Sequence, residues 1–199
     1  HIKSLRYKKV GNHMSDIYKK IIFVCTDNTC RGIMAEAIFK SLEYPKDIEV
    51  CSRGTVVLIP EPMNPKAVAV LKSHQLEPSK EYSEQLTRED ITPQSLVLTM
   101  TEGQSVHILN NFPDCFGEGL AQISTVRNFI GQEGDISNPS GSLADYGMFY
   151  EHIDLLVKIM IEKMFPKEKK AVVEDELIQQ VSEALKETKV IIPPVENEE

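Results

Sequence analysis

The stretch "IIFVCTDNTCRGIMAEAIF", residues 21–39, decides the fold. Its first part, with Lys20 in front, is "KIIFVC", a short β-branched run of the kind that makes a buried strand ending at Cys25. Its last part continues as "RGIMAEAIFKSL", with Ile33, Ala37 and Leu42 near one face and good helix formers between, which predicts a helix over about 32–43. Between the two, "CTDNTCR" has to turn from the strand into the N-terminus of the helix. Such a turn aims several backbone N–H groups at one point and, with the helix dipole, makes a nest for a phosphate-like dianion. A thiol at the centre of that nest has its pKa lowered, so Cys25 is expected as a thiolate. The planar fork of Arg31 suits two phosphate oxygens. A thiolate under a bound phosphoryl group is an in-line nucleophile and yields a phosphocysteine. The amides and Arg31 then stabilise the charge that spreads over the equatorial oxygens. The competing reading is a buried strand-end cysteine and a helix-capping arginine. A bare Cys-x5-Arg is a weak pattern, and its place at a strand-to-helix junction makes it considerably stronger.

Outward from this stretch the chain alternates strand and helix. "DIEVCSRG" reads as a second strand ended by Gly54. Asn64 as N-cap and Pro65 at the first helical position predict a helix over about 64–75. "LTREDI" suits a short helical turn, "SLVLTM" a third strand, "EGQSVHILNNF" a third helix and "LAQISTV" a fourth strand. "GSLADYGMFYEHIDLLVKIMIEKMF" predicts a long helix with Leu143, Tyr146, Tyr150, Ile153, Leu156, Val157 and Met160 on its apolar stripe. This order implies a three-layer α/β fold, a parallel sheet with right-handed crossovers between helices. Ligands in such sheets bind beyond the carboxyl ends of the strands, where Cys25 lies.

Composition narrows the classes. The 199 residues are 41% hydrophobic and 26% charged, enough for one domain with a substantial core. A net charge of -8 gives no footprint for nucleic acid or a membrane surface. No apolar run approaches the ~20 residues of a membrane span. The four cysteines, Cys25, Cys30, Cys51 and Cys115, are too sparse for a disulfide scaffold and fit a reducing, cytoplasmic compartment. Their spacing offers no zinc site, and nothing calls for a cofactor. Residues 1–13 read as an expression-vector remnant with Met14 as the native start, and residues 14–166 as the domain. Residues 167–199 read as a helical extension, with Val172, Val173, Leu177, Val181 and Leu185 as its stripe, and a Pro-broken, acidic, disordered end. That helix is expected as an extra layer on the domain, with a partner or self-association surface as the alternative.

The loop and its surroundings resemble the low molecular weight protein tyrosine phosphatases, including their bacterial arginine phosphatase relatives. The family's loop reads C-x-G-N-x-C-R-S followed by x-M-A-E-A, against "CTDNTCRGIMAEAIF" here. The resemblance continues through "CSRGT", "QLTRED", "LVLTMT" and "NPSGSLADY" and spans roughly residues 20–165 in order. It implies a four-stranded parallel sheet flanked by helices, with Cys25 as nucleophile and Arg31 as phosphate clamp. The phosphate-binding loop is then Thr26, Asp27, Asn28, Thr29 and Cys30. Cys30 resembles the second loop cysteine, able to form a reversible disulfide with the nucleophile. Asn28 resembles the loop asparagine held in a left-handed conformation, and Ser52 the serine that supports it. Thr29 matches the residue that is Thr in the arginine phosphatases and usually a bulkier aliphatic in the tyrosine ones.

Four departures surround this site, and the residue after Asn138-Pro139 is a fifth. The family's general acid, the Asp of an Asp-Pro pair, is Asn138 before Pro139, and an amide cannot protonate a leaving oxygen. Losing a positioned acid costs about 10²–10⁴ in rate. Asp135 lies nearby and would substitute only after a loop movement. The loop glycine is Asp27, whose carboxylate repels phosphate and favours the neutral thiol unless it turns to solvent. Gly32 replaces the hydroxyl residue after the arginine, and Glu81 stands where a histidine is expected, so Asn28 is expected to lose two supports. Ser140 replaces the aromatic wall after Asp-Pro. Glu36 is assigned to the solvated or capping surface of the first helix. His74, His107 and His152 read as surface or packing residues, and Tyr146 and Tyr150 as core.

Together these imply a phosphatase of reduced activity acting on phosphotyrosine, phosphoarginine or a small phosphate ester. The alternative is an impaired pseudophosphatase that binds phosphate esters or partners. A thiol-dependent arsenate reductase shares the loop but needs more cysteines near the site, and "TMTEGQSVHIL" has none. The oligomeric state is not encoded in any motif.

Overall fold

The architecture comes from a computed structural model that describes residues 17–166. The expectations for residues 1–13 and 167–199 lie outside the described residues. Four strands form the sheet: β1 (Lys20–Cys25), β2 (Glu49–Gly54), β3 (Ser95–Thr99) and β4 (Gln122–Thr125). The order is β2-β1-β3-β4, every pairing parallel, and β1 runs through the middle with Cys25 opposite Gly54. All four strands therefore deliver their carboxyl ends to one edge of the sheet.

The pleat of β1 sorts its side chains between two cores. Ile21, Phe23 and Cys25 join the larger core with α1 (Arg31–Ser41), α2 (Pro65–Ser73) and α5 (Leu143–Met164). Ile22 and Val24 join a smaller core with Leu86, Val97 and Ile108 under α3 (Glu102–Asn111). The strand is apolar throughout because both its faces are covered. Each side chain so buried contributes about 1.5–3 kcal/mol of transfer free energy.

The starts of α2, α3 and α5 are capped by side chains, and that of α2 lies where the sequence put it. Asn64 accepts from the N–H groups of Lys66 and Ala67 ahead of α2, and Pro65 takes the first position. Thr101 and Gln104 make a capping box at α3, and Ser142 and Asp145 another at α5. On α5 the stripe Tyr146, Tyr150, Ile153, Leu156, Val157 and Met160 is buried. Leu143, placed on the same stripe from the sequence, is 53% exposed because it opens the helix beyond the edge of the core. The amphipathic reading of α1 also needs correction. Every residue from Arg31 to Phe39 is buried, since α1 is covered by the sheet, α2 and α5. A four-residue helix, α4 (Val126–Phe129), follows β4 without a break.

Candidate active site

The segment from Thr26 to Cys30 crosses from β1 into α1, and the backbone after β2 ties it down. Thr55 N–H donates to the carbonyl of Cys25 at 2.9 Å, Val56 N–H to that of Thr26 at 2.9 Å, and Asn64 N–H to that of Thr29 at 3.0 Å. Gly54 makes this approach possible. A Cβ there would lie 2.9 Å from the Thr26 carbonyl oxygen and 2.4 Å from Val57 Cγ2.

Asn28 has φ 59°, in the left-handed region that asparagine tolerates better than most residues. Its Nδ2 donates to Ser52 Oγ at 3.1 Å, and its Oδ1 accepts from Glu84 N–H at 3.1 Å. The amide is held at both ends by Ser52, the support expected from the sequence, and by Glu84 N–H, which the sequence did not point to. Glu81 is exposed.

Asp27 is half-buried, and its Oδ1 accepts from Thr29 N–H at 3.0 Å. The carboxylate closes an Asx turn inside the loop and so engages one of the loop's own amide donors. Cys25 is fully buried, and that burial pushes its thiol up, which corrects the thiolate expected from the loop's amides alone. The N–H groups of Gly32 and Asn28 and the charge of Arg31 pull it down, while the charge of Asp27 adds to the rise. Burial, with the fields of Cys25 and Asp27, pushes the Cys30 thiol up to about 12. Both thiols are free.

Arg31 opens α1 and is only 7% exposed. Nη1 donates to the Ile136 carbonyl at 3.1 Å, and Nη2 reaches Thr26 Oγ1 at 3.4 Å. Its Nε is buried with no hydrogen-bond partner among the described residues. An unpaired buried donor costs about 1–3 kcal/mol, more when charged, so an oxyanion beside it is favoured.

Gln104 joins the site without having been singled out in the sequence. Its Nε2 donates to Thr26 Oγ1 at 3.0 Å, and its Oε1 accepts from the N–H groups of Met100 and Thr101 at 2.9 and 3.1 Å. The Thr-x-x-Gln spacing of a capping box is the signal that could have found it.

The segment before α5 is pinned over the same edge. Ile136 N–H donates to Met100 O at 2.8 Å while its carbonyl takes Arg31. Asn138 follows two residues later and is exposed, as is Ser140. Asp135 accepts from Glu102 N–H at 2.8 Å and so serves the first turn of α3. Gly32 is closely lined, since a Cβ there would touch Cys25 Sγ, Phe23 O and Ser52 Cβ each at 3.4 Å.

Glu36 is corrected outright. It is 2% exposed and accepts from Ser52 Oγ at 2.6 Å, Ser79 Oγ at 2.5 Å and Lys40 Nζ at 2.6 Å. A glutamate in the middle of a helix reads as surface by default, and only the burial of α1 on all sides reverses that.

Known proteins share this arrangement of sheet and loop. The profile of the low molecular weight phosphotyrosine protein phosphatases matches residues 20–177. A protein-arginine-phosphatase of Geobacillus stearothermophilus is 33% identical over 147 residues, 73% of this chain and 95% of that protein. The low molecular weight protein-tyrosine-phosphatase PtpB of Staphylococcus haemolyticus is 30% identical over 139 residues, 69% of this chain and 94% of that protein. The crystal structure of a low molecular weight protein tyrosine phosphatase from T. tengcongensis superposes with a TM-score of 0.64 at 34% identity, covering 72% of this chain and 98% of that one. A parallel sheet in the order β2-β1-β3-β4, a loop from Cys25 to Arg31 at its edge, and a profile matched along most of the length agree: the chain belongs to the low molecular weight phosphotyrosine protein phosphatase family.

Proposed function

We propose that the chain is a protein phosphatase that hydrolyses phosphotyrosine or phosphoarginine side chains through a phosphocysteine on Cys25, slowed by the amide at Asn138. The observation that carries this reading is Arg31, a buried guanidinium whose Nε has no partner among the described residues, at the end of the loop that begins at Cys25. Thr26, Asp27, Asn28, Thr29 and Cys30 supply the backbone of the cradle.

In the first step the Cys25 thiol gives its proton to solvent, the Sγ thiolate attacks phosphorus, the S–P bond forms, and the bond to the side-chain oxygen or nitrogen breaks. The electron pair leaves with that atom, which has to take a proton. Asn138 cannot give one, so water supplies it, and this step is slow for a poor leaving group. In the second step water attacks the phosphocysteine, the S–P bond breaks, and inorganic phosphate and the cysteine are released. Arg31 carries the charge on the transferring oxygens in both steps.

A second reading, a phosphate-binding module with little turnover, is favoured by Asp27. Its carboxylate takes Thr29 N–H, and its charge adds to the rise of the Cys25 thiol. Two substrates separate the readings. para-Nitrophenyl phosphate carries a good leaving group and needs little acid help. The phosphatase turns it over while hydrolysing phosphotyrosine peptide poorly; the binding module hydrolyses neither yet still binds phosphate.

A further inference from the structure

We propose that Glu36 is a positioning residue for the phosphate loop, fixing through Ser52 the orientation of the Asn28 side chain; this rests on the phosphatase reading of the same loop. The inference follows from the donors and acceptors along one buried chain. An ionised carboxylate only accepts hydrogen bonds. Ser52 has one hydroxyl proton, and at 2.6 Å from Glu36 Oε2 it is spent there. Ser52 Oγ is then left as an acceptor, and only the NH₂ end of Asn28 can satisfy it, at 3.1 Å. The amide is thereby turned so that Oδ1 faces Glu84 N–H, also at 3.1 Å. The side chain of the one left-handed residue in the loop is thus held at both ends, in a direction set by Glu36.

The rest of the chain supports an ionised Glu36. Oε1 receives both Ser79 Oγ–H and Lys40 Nζ, so the carboxylate faces three donors in all. Lys80 Nζ lies on the Ser52 carbonyl at 2.6 Å and also pairs with Glu84, closing the ring around the loop's support. Stability alone does not call for a carboxylate here, because a well-packed apolar residue in a buried site is often as stable. A directional role does call for one, since neither Leu nor Met can fix the donor sense of Ser52.

The test compares the full chain with its Glu36→Gln, Glu36→Met and Ser52→Ala variants. Two quantities are read: solvent exchange of the Asn28 Nδ2 protons by NMR, and affinity for inorganic phosphate followed on the loop amides. Exchange of the Nδ2 protons is expected to quicken, and phosphate to bind about tenfold more weakly, in Glu36→Met and Ser52→Ala. Glu36→Gln keeps an acceptor for Ser52 and is expected to recover part of both. The Glu36→Met, Ser52→Ala pair is expected to be no worse than the weaker single variant, because both break one chain. Folded variants with unchanged Asn28 exchange would overturn the inference, as would additive losses in the pair. If Glu36→Met does not fold, Glu36→Gln decides: a folded Glu36→Gln with unchanged Asn28 exchange and phosphate affinity would overturn the inference. A wild-type chain that binds no phosphate would defeat the phosphatase reading instead, and the Asn28 exchange would still judge Glu36.

Discussion

Asn138 and Asp27 depart from the family motif at two separate places, one exposed in the segment before α5 and one inside the loop after Cys25. Asn138→Asp restores a titratable group at an exposed position of the segment that Ile136 pins against Arg31. Turnover of phosphotyrosine peptide is expected to rise by about 10² or more, with little change on para-nitrophenyl phosphate. No gain in steady-state kinetics would place the defect in the loop itself. Asp27→Gly removes a negative charge that pushes the Cys25 thiol up. Without it the thiolate is stabilised, so the pH midpoint of Cys25 alkylation by iodoacetamide is expected to fall, and phosphate to bind more tightly. A midpoint that stays put or rises would remove Asp27 from the account. The sequence made both positions conspicuous, because each breaks a short motif at a fixed offset. The direction in which Asp27 turns was not legible: it depends on whether Thr29 N–H is free to take it, a matter of loop geometry rather than residue type.

The elements that build the site depend on close approach and capping. Gly54→Ala would press a methyl against the Thr26 carbonyl and Val57, with contacts at 2.9 and 2.4 Å. A loss of about 1–3 kcal/mol is expected from the urea midpoint, with weaker phosphate binding because the loop must shift. Gln104→Leu strips acceptors from Met100 and Thr101 N–H and a donor from Thr26, and a similar loss of about 1–3 kcal/mol is expected by thermal or urea unfolding. The four strands, the longer helices, the capped start of α2 and the short turn at Arg88–Asp90 were legible from periodicity and from Asn64 and Pro65. The short α4 was not, since four residues after a strand give no helical period to read. The burial of α1 on all sides escaped for another reason. Its Glu36 and Lys40 look like a solvent-facing pair at helical spacing, and only the docking of α2 and α5 shows that Glu36 points inward.

At the scale of the molecule, the buried Glu36 couples the folded domain to pH. Burial pushes its carboxyl up, but hydrogen bonds from Lys40, Ser52 and Ser79 outweigh this and hold it below the ordinary carboxylate range. A lowered folded-state pKa stabilises the fold above the unfolded value of about 4.3, and that contribution is lost as pH falls below it. Glu36→Gln is therefore expected to flatten the fall in urea stability below about pH 4.3, and an unchanged acid limb would contradict this reading. In the proposed reaction the carboxyl edge of the sheet serves one event, attack by Cys25 on a phosphorus held by the loop and Arg31. The most direct test is steady-state hydrolysis of para-nitrophenyl phosphate by the wild-type chain, with Cys25→Ser and Arg31→Ala as controls whose folding is checked by circular dichroism. The account predicts measurable turnover in the wild type and none above background in either control. A wild type no faster than Cys25→Ser, while still binding phosphate, would contradict it.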